Sequence, residues 1–543
     1  MHSSPTRPNA VSAAGLALLA PALVALVVSL VWPTLWTLWT SLQRANLLTS
    51  ARFVGGDNYG RLLTNTGFWH AVGLTVELAV AVVVAAGVLP PLLAFLVDAG
   101  GRRLRLAARL VLSPPMAFFA PAAGAGAWLL WLRAPGGDAA LSDPLRAPAA
   151  IVGIVVVSGL GVACGAGLMV FLAALRGRPA AGVTPIASLA GWGLLVMAGA
   201  AAAVQSFVPS FVLTGGGPRG ATLTPSLLQY QLGFQRFDFG GGTAVASLTL
   251  LVLAVLGVAA TVLAVWSGLR VELGADASPA TRPAGNGPAP AAVLGVLALA
   301  VAAGIALYGG WPRLAAAVAA LGARPVAEPY GQVLVNTVVP PLLSAVVQVA
   351  VAFVAALGIG GLRPLGARSE WLLLPFAPWL FVGTAPLSLA GFAWERAANL
   401  YGTFPALIPP ILVSVPALFV LTLCCRGQAP ASERLVAGGA PPTEAFLRAV
   451  VLPVLPMFGL LVGATALVGM QDLLWPLLVV QSPDRFTLPV LMTQLAGQFA
   501  ATGSGVALVV TLMALPGVVA LAGLTAAQVL YLDRLQLRAG RAS

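Results

Sequence analysis

From Ala149 to Leu175 the chain carries no charged residue. A run of that length has few places to go, because about 20 consecutive apolar residues are what a helix needs to cross a bilayer. Within lipid every backbone N–H and C=O must be satisfied internally, which leaves helices and closed barrels. Similar runs recur along the chain. In the first half they are Ala13–Trp39, Ala71–Val97, Leu110–Leu132, Ala149–Leu175, Ala187–Leu213 and one closing near Leu269. In the second half they are Ala291–Gly309, Leu334–Ile359, Trp371–Phe392, Pro405–Cys425, Val450–Val480 and Val506–Tyr531. The pattern predicts an all-α polytopic membrane protein with about 12 transmembrane helices of this length class. The first run is too long for a signal peptide and lacks a small-residue cleavage site, so it counts as a span. Only 8% of the 543 residues are charged and mean hydropathy is +0.96. A soluble domain carries about a quarter charged residues, so that class is excluded.

The stretch 270–290 is rich in Gly, Ala, Ser and Pro without apolar periodicity, which reads as a linker. It divides the chain into two halves of six spans, 1–269 and 291–543. Placing both termini in the cytoplasm puts 17 of the 28 arginines inside, with Arg102, Arg103, Arg105 and Arg109 as the densest group. All 28 basic residues are arginine. That more simply reflects a GC-rich gene than chemistry, so the pI of 11.0 is not read as nucleic-acid binding. Cys164, Cys424 and Cys425 lack metal-ligand spacing, adjacent cysteines do not bridge readily, and His2 and His70 have no partner cluster. Neither a metal site nor a catalytic constellation is expected. Without lysine a phosphate-binding P-loop is impossible, so the chain is not itself an ATPase.

One polar island interrupts the second half between Arg426 and Pro456. Ser432 is a candidate N-cap, Glu433 follows it, and Gly438-Gly439 is a stop signal. The order predicts a short helix lying across a loop between two spans, facing the cytoplasm. In the first half, Val212-Leu213-Thr214-Gly215-Gly216-Gly217-Pro218 sits between spans five and six. Consecutive glycines there permit left-handed backbone, and the proline fixes the exit.

That second motif, with Tyr230, Phe234, Phe237-Asp238-Phe239-Gly240 and Ala244 in register after it, resembles maltose-type sugar ABC importer permeases. Phe53 to Tyr59 resembles the first outer loop of the same subunit. The second half resembles the partner subunit through Asn336-Thr337, Asn399 to Thr403, Gln471 to Leu477 and Thr487-Leu488-Pro489-Val490. In this light Glu433 to Pro453 is similar to the E-A-A coupling loop, with Glu433, Gly439, Ala440, Leu452 and Pro453 carried over. Arg434 and Leu435 stand where that family has two alanines, Gly438 stands where it has Asp, and the spacing to Leu452-Pro453 is one residue longer. The chain therefore looks like both permease subunits fused.

The resemblance implies a bacterial inner-membrane permease that binds no cofactor directly. Its partners would be ATP-hydrolysing subunits, an extracytoplasmic solute-binding protein and membrane lipid. Thr214, Gly215, Gly216, Gly217 and Pro218 would form an outer gate or a seat for the binding protein. Gln471 and Asp472, with Trp475 beside them, are the candidate solute contacts, since sugars are held by amide and carboxylate hydrogen bonds and by ring stacking. Asp472 acting as a cap within the bundle is the competing reading. The first half lacks an acidic residue between Asp143 and Asp238, and only Ala180 to Ile186 separates Arg178-Pro179 from span five, so it has no matching coupling loop. Asymmetric coupling through the second half, or loss of transport, follows. The rival class is a major-facilitator carrier, whose loop between spans two and three Asp98 to Arg103 resembles. The only acids expected within spans, Glu77 and Asp472, give that rival little of the buried ionisable relay it would use.

Overall fold

The computed structural model describes residues 7–46, 51–132, 139–177, 186–274, 330–497 and 503–540. About 81% of the structure is helical. The strands among the described residues are two short antiparallel pairs, so the protein is all-α. Among the described residues, eight helices are long and apolar enough to cross a membrane: Ser12–Ser41, Thr66–Asp98, Ala147–Arg176, Ile186–Thr214, Phe239–Trp266, Tyr330–Leu362, Pro442–Met470 and Gly505–Arg534. Two bent pairs raise the number to 10 if each is one span. The expected count of twelve is thus not reached among the described residues, and the expected span Ala291–Gly309 lies outside them. Large apolar side chains point outward on the helices, among them Phe95 at 63% and Val519 at 77% exposed. Water would penalise such faces and lipid would cover them.

The departures from the expected spans follow the prolines. Leu110–Leu132 breaks into Gly101–Ala117 and a helix from Pro121, bent by 79°. Pro121 has no N–H to donate and disfavours helical backbone at Ala120. Trp371–Phe392 resolves into a 3-10 helix, Gly366–Trp379, and an α-helix, Thr384–Ala397, at 75°. Pro375 and Pro378 lie in the first segment, which is long for a 3-10 helix. This pair also brings two acids into apolar elements that were expected to hold neither, Glu370 and Glu395, both nearly fully buried.

Helix ten does not start at Pro405. Pro405–Leu407 is a single turn, and the α-helix begins at Val415, where the Ser414 hydroxyl accepts the Ala417 N–H. It then runs to Ala437, well past Cys425. Span eleven, expected to reach Val480, stops as a helix at Met470 and resumes as Leu474–Val479. Arg270–Leu273 is a strand rather than the start of a structureless linker, and it pairs with Leu535–Arg538.

The two halves interlock. Leu19, Leu26 and Leu30 of the first helix share one core with Val349, Phe376 and Leu418. Trp379 Nε1 donates to Thr34 Oγ1 at 3.0 Å. The Phe239–Trp266 helix crosses the 3-10 segment at Gly257, where a Cβ would stand 2.1 Å from the Ala377 carbonyl oxygen. Gly257→Ala should therefore force backbone apart and cost about 1–3 kcal/mol, the usual range for overpacking. Gly463→Ala meets nothing within 4 Å and should be neutral. Thermal unfolding of the two variants in detergent checks this, and equal melting temperatures would refute the close crossing.

One end of the bundle collects charge. Asp533 accepts from Arg109 at 2.6 Å and lies 3.2 Å from Arg176, and Arg105 pairs with Asp98 at 2.8 Å. Glu272 bridges Arg270 and Arg538 across the small sheet. Arg426 reaches Glu370 at 2.9 Å and donates to the Leu269 carbonyl, while Arg363 flanks Glu370 at 3.5 Å. These bonds bring helix ends from both halves to a single face, which holds much of the arginine assigned to one side by the charge bias.

Candidate functional site

At the arginine-rich end, the helix Val415–Ala437 and the helix beginning at Pro442 form a hairpin. Gly438 caps the first helix, and Gly439 takes φ +93°, a value that suits glycine. The Gly439 N–H donates to the Val436 carbonyl and the Ala440 N–H to the Leu435 carbonyl, both at 3.0 Å. That crossed pair of bonds is a Schellman stop. Pro441-Pro442 then restarts the chain as a helix. The expected separate crossing helix is absent, because Ser432 lies inside a continuous helix rather than at an N-cap. Its polar flanks do not interrupt a helix whose backbone bonds are already in place.

Glu433 and Gly439 are exposed and Ala440 half-buried at the tip of this hairpin. Leu435 and Val436 are exposed beside them, at 42% and 40%. Leu452 and Pro453 lie below the tip. A π turn, Leu447–Val451, precedes them, and the Pro453 carbonyl accepts the Tyr531 hydroxyl at 3.0 Å. The two-helix hairpin thus carries a small apolar tip flanked by the exposed Glu433 and Arg434.

The glycine motif closes the helix Val208–Thr214 at the opposite end of the bundle. Gly215 and Gly216 have φ of +60° and +91°, whereas Gly217 is not left-handed and precedes Pro218 through a cis bond. Thr214 Oγ1 lies 2.6 Å from Thr222 Oγ1, and Thr222 donates to the Gly217 carbonyl at 2.6 Å. Gln231 donates to the Gly215 carbonyl at 3.2 Å. The loop is fastened from within, and Leu223 and Leu227 leave no room for a side chain at Gly216.

The sequence candidates for solute contact are engaged by the protein itself. Gln471 accepts from the Ala123 N–H at 3.4 Å and donates to the Met513 carbonyl at 3.3 Å, tying three helices together. Asp472 Oδ1 accepts the Leu474 and Trp475 N–H groups, and its Oδ2 accepts the Thr384 hydroxyl at 2.9 Å. Trp475 is 2% exposed and donates Nε1 to the Ala406 carbonyl at 2.9 Å. Asp472 is therefore a cap at the helix break, the competing reading of the sequence, and Trp475 is core.

The open space lies elsewhere, in a cavity of about 530 Å3 whose walls come from both halves. Tyr230, Phe234, Phe237 and Phe239 line it from the first half, and Phe392, Arg396, Tyr401 and Gln481 from the second. The Tyr230 and Phe234 rings stack at 5.9 Å. Phe392 meets Phe234 edge-on at 5.1 Å and Tyr401 edge-on at 5.3 Å. The cavity opens at the start of the Phe239–Trp266 helix, the end remote from Arg270 and its ion pairs. Tyr230, Phe234 and Tyr401 fall within the sequence motifs, but nothing in the sequence marks them as lining one cavity. Their convergence needs the fold, because no spacing links residues of the two halves.

A scan against models of protein families finds no match, and a search of curated proteins finds no significant relative. The class defined by fold and site is that of a multi-pass α-helical membrane protein with a charged, hairpin-bearing end and an aromatic cavity at the other.

Proposed function

We propose that this chain is the membrane permease of an ATP-binding-cassette importer, with both permease halves, 1–269 and 291–543, in one polypeptide. It moves a sugar or similar small polar solute into the cell, and a separate ATPase subunit supplies the energy. The observation that carries this reading is the hairpin tip at Glu433 to Ala440. A pair of helices continuous with the bundle ends in an exposed Leu435-Val436 patch beside Glu433 and Arg434. Such a tip suits a soluble partner, and helix continuity carries the partner's motion into the bundle. In this reading the bundle has twelve spans, both termini and the charged end face the cytoplasm of a bacterium, and the glycine loop faces the solute-binding protein. Coupling runs mainly through the second half.

The mechanism is alternating access. Closure of the ATPase around ATP pulls the tip, and the interlocked halves reorient around the solute. To reverse a strongly biased two-state equilibrium the partner must discriminate between the two states by about 5.5 kcal/mol. A lever with a Schellman stop transmits such a bias, whereas a flexible turn would absorb it.

Purification from native membranes in mild detergent, followed by mass spectrometry of the bound chains, tests the proposal. An ATP-binding-cassette subunit should co-purify with the wild type and be depleted severalfold with Glu433→Ala or Leu435→Arg, at unchanged permease yield. Absence of any such subunit, under conditions that preserve other transporters of the same membranes, overturns the importer reading in favour of a secondary carrier.

A further inference from the structure

We infer that the aromatic cavity between the halves is a binding site for a neutral, polyhydroxylated ring, and that it, rather than Gln471 and Asp472, is where the solute first meets the membrane protein. The inference rests on the permease reading for its role in transport, but its chemistry stands on the walls of the cavity. At about 530 Å3 it falls within the size range of small-molecule sites. Four ring systems, Tyr230, Phe234, Phe392 and Tyr401, form a continuous edge-to-face and stacked series around it. Aromatic faces carry negative partial charge and attract the polarised C–H face of a sugar ring.

The polar groups decide between ligand classes. Among the described residues, the side chains of Tyr230, Arg396, Tyr401 and Gln481 make no hydrogen bond or ion pair with another side chain or carbonyl. They stand at the cavity as available donors, and Gln481, Tyr230 and Tyr401 also as acceptors. This contrasts with Gln471, Asp472 and Trp475, whose polar atoms are already bonded within the protein. An aromatic cage alone would also suit a quaternary ammonium ion. Among the described residues no acidic side chain lines the cavity, and the charged group that does, Arg396, repels a cation. An anion would find only the exposed Arg396 guanidinium among the described lining groups. A neutral ring bearing several hydroxyls uses every wall.

The backbone helps aim the rings. Tyr230 ends a short helix and Phe234 lies in the π turn Gln231–Gln235 that follows it. Residues at this i,i+4 spacing share one side of a helical segment, which sets the two rings at stacking distance, and π turns recur at functional sites.

Saturation-transfer-difference NMR on the purified full-length protein in nanodiscs tests this. The probes are a panel of neutral sugars (glucose, xylose, maltose, trehalose and cellobiose), with glucuronate and choline as charged controls. At least one neutral sugar should give ring-proton saturation, which Gln481→Ala and Tyr401→Ala should weaken at least tenfold. Gln471→Asn should leave it within twofold. All three variants are to elute as the wild type by size exclusion. Saturation confined to choline or to glucuronate overturns the assigned class. No saturation from any neutral sugar, or saturation unaffected by Gln481→Ala and Tyr401→Ala, overturns the site. Sugar binding at this cavity without a co-purifying ATPase upholds the site while removing the importer reading, so the two fail separately.

Discussion

Asp533→Ala is expected to lower stability by about 3–5 kcal/mol, the range for removing one partner from a buried ion pair. Asp533 accepts from Arg109 at 2.6 Å and forms an ion pair with Arg176 at 3.2 Å; the two arginine side chains are 2% and 13% exposed. Without it two cations face each other in a confined space. Arg176 keeps bonds to the Leu532 and Leu535 carbonyls, but these carry no negative charge. Arg102, 82% exposed and 3.7 Å from the same carboxylate, adds little, since exposed pairs contribute about 0–1 kcal/mol. The measurement is thermal unfolding in detergent for the single variant and for Asp533→Leu with Arg109→Met. The double variant should recover part of the loss, because a partnerless buried charge is costlier than an apolar replacement of the pair. A melting temperature unchanged in Asp533→Ala would show that the C-terminal segment does not hold the first half's helix ends. The same segment supplies the strand Leu535–Arg538 that pairs with Arg270–Leu273, so its loss should loosen both halves together.

Trp475→Ala should cost a similar amount, about 3–5 kcal/mol, as large-to-small changes at buried aromatic positions do. The indole is 2% exposed and packs so closely on Gly391 that a Cβ there would stand 2.8 Å from the ring. Its N–H satisfies the Ala406 carbonyl at 2.9 Å, so truncation leaves both a void and an unpaired acceptor. Trp475→Phe fills most of the void and should show only part of the loss. The decisive readout is stability without solute. A Trp475→Ala protein with wild-type melting temperature but altered solute binding would restore this residue to the solute contacts and contradict its role as core.

Several features were legible along the chain because they depend on neighbours in sequence. Apolar runs such as Ala147–Arg176 and Phe239–Trp266 are helices within a few residues of the expected limits, since lipid leaves the backbone no other partner. Left-handed backbone at two of the three glycines after Thr214 was equally readable, because only a missing Cβ makes it easy. Prolines were visible too, but their consequence was not. Whether a proline bends a span, as before Pro121, or sits within an unbroken helix, as Pro90 and Pro91 do, depends on what neighbouring helices offer the freed carbonyls.

The polar residues are where sequence alone ran out. Gln471 and Asp472 looked like ligands because a polar pair in an apolar run must find hydrogen bonds, and the sequence does not say with whom. The fold supplies Ala123, Met513 and Thr384, distant in the chain, as their hydrogen-bond partners. Ser432 and Glu433 looked like the start of a helix, yet the helix from Val415 runs through them because each turn formed favours the next. The aromatic cavity shows the same division from the other side. Sequence determined that Tyr230 and Phe392 are aromatic and fall near span ends, but only the packing of one half against the other brings Phe234 and Phe392 to 5.1 Å. Local chemistry fixes which segments are helices and where they must turn. Which polar groups are used up inside the bundle, and which stay free to meet a solute, is decided by contacts between residues hundreds of positions apart.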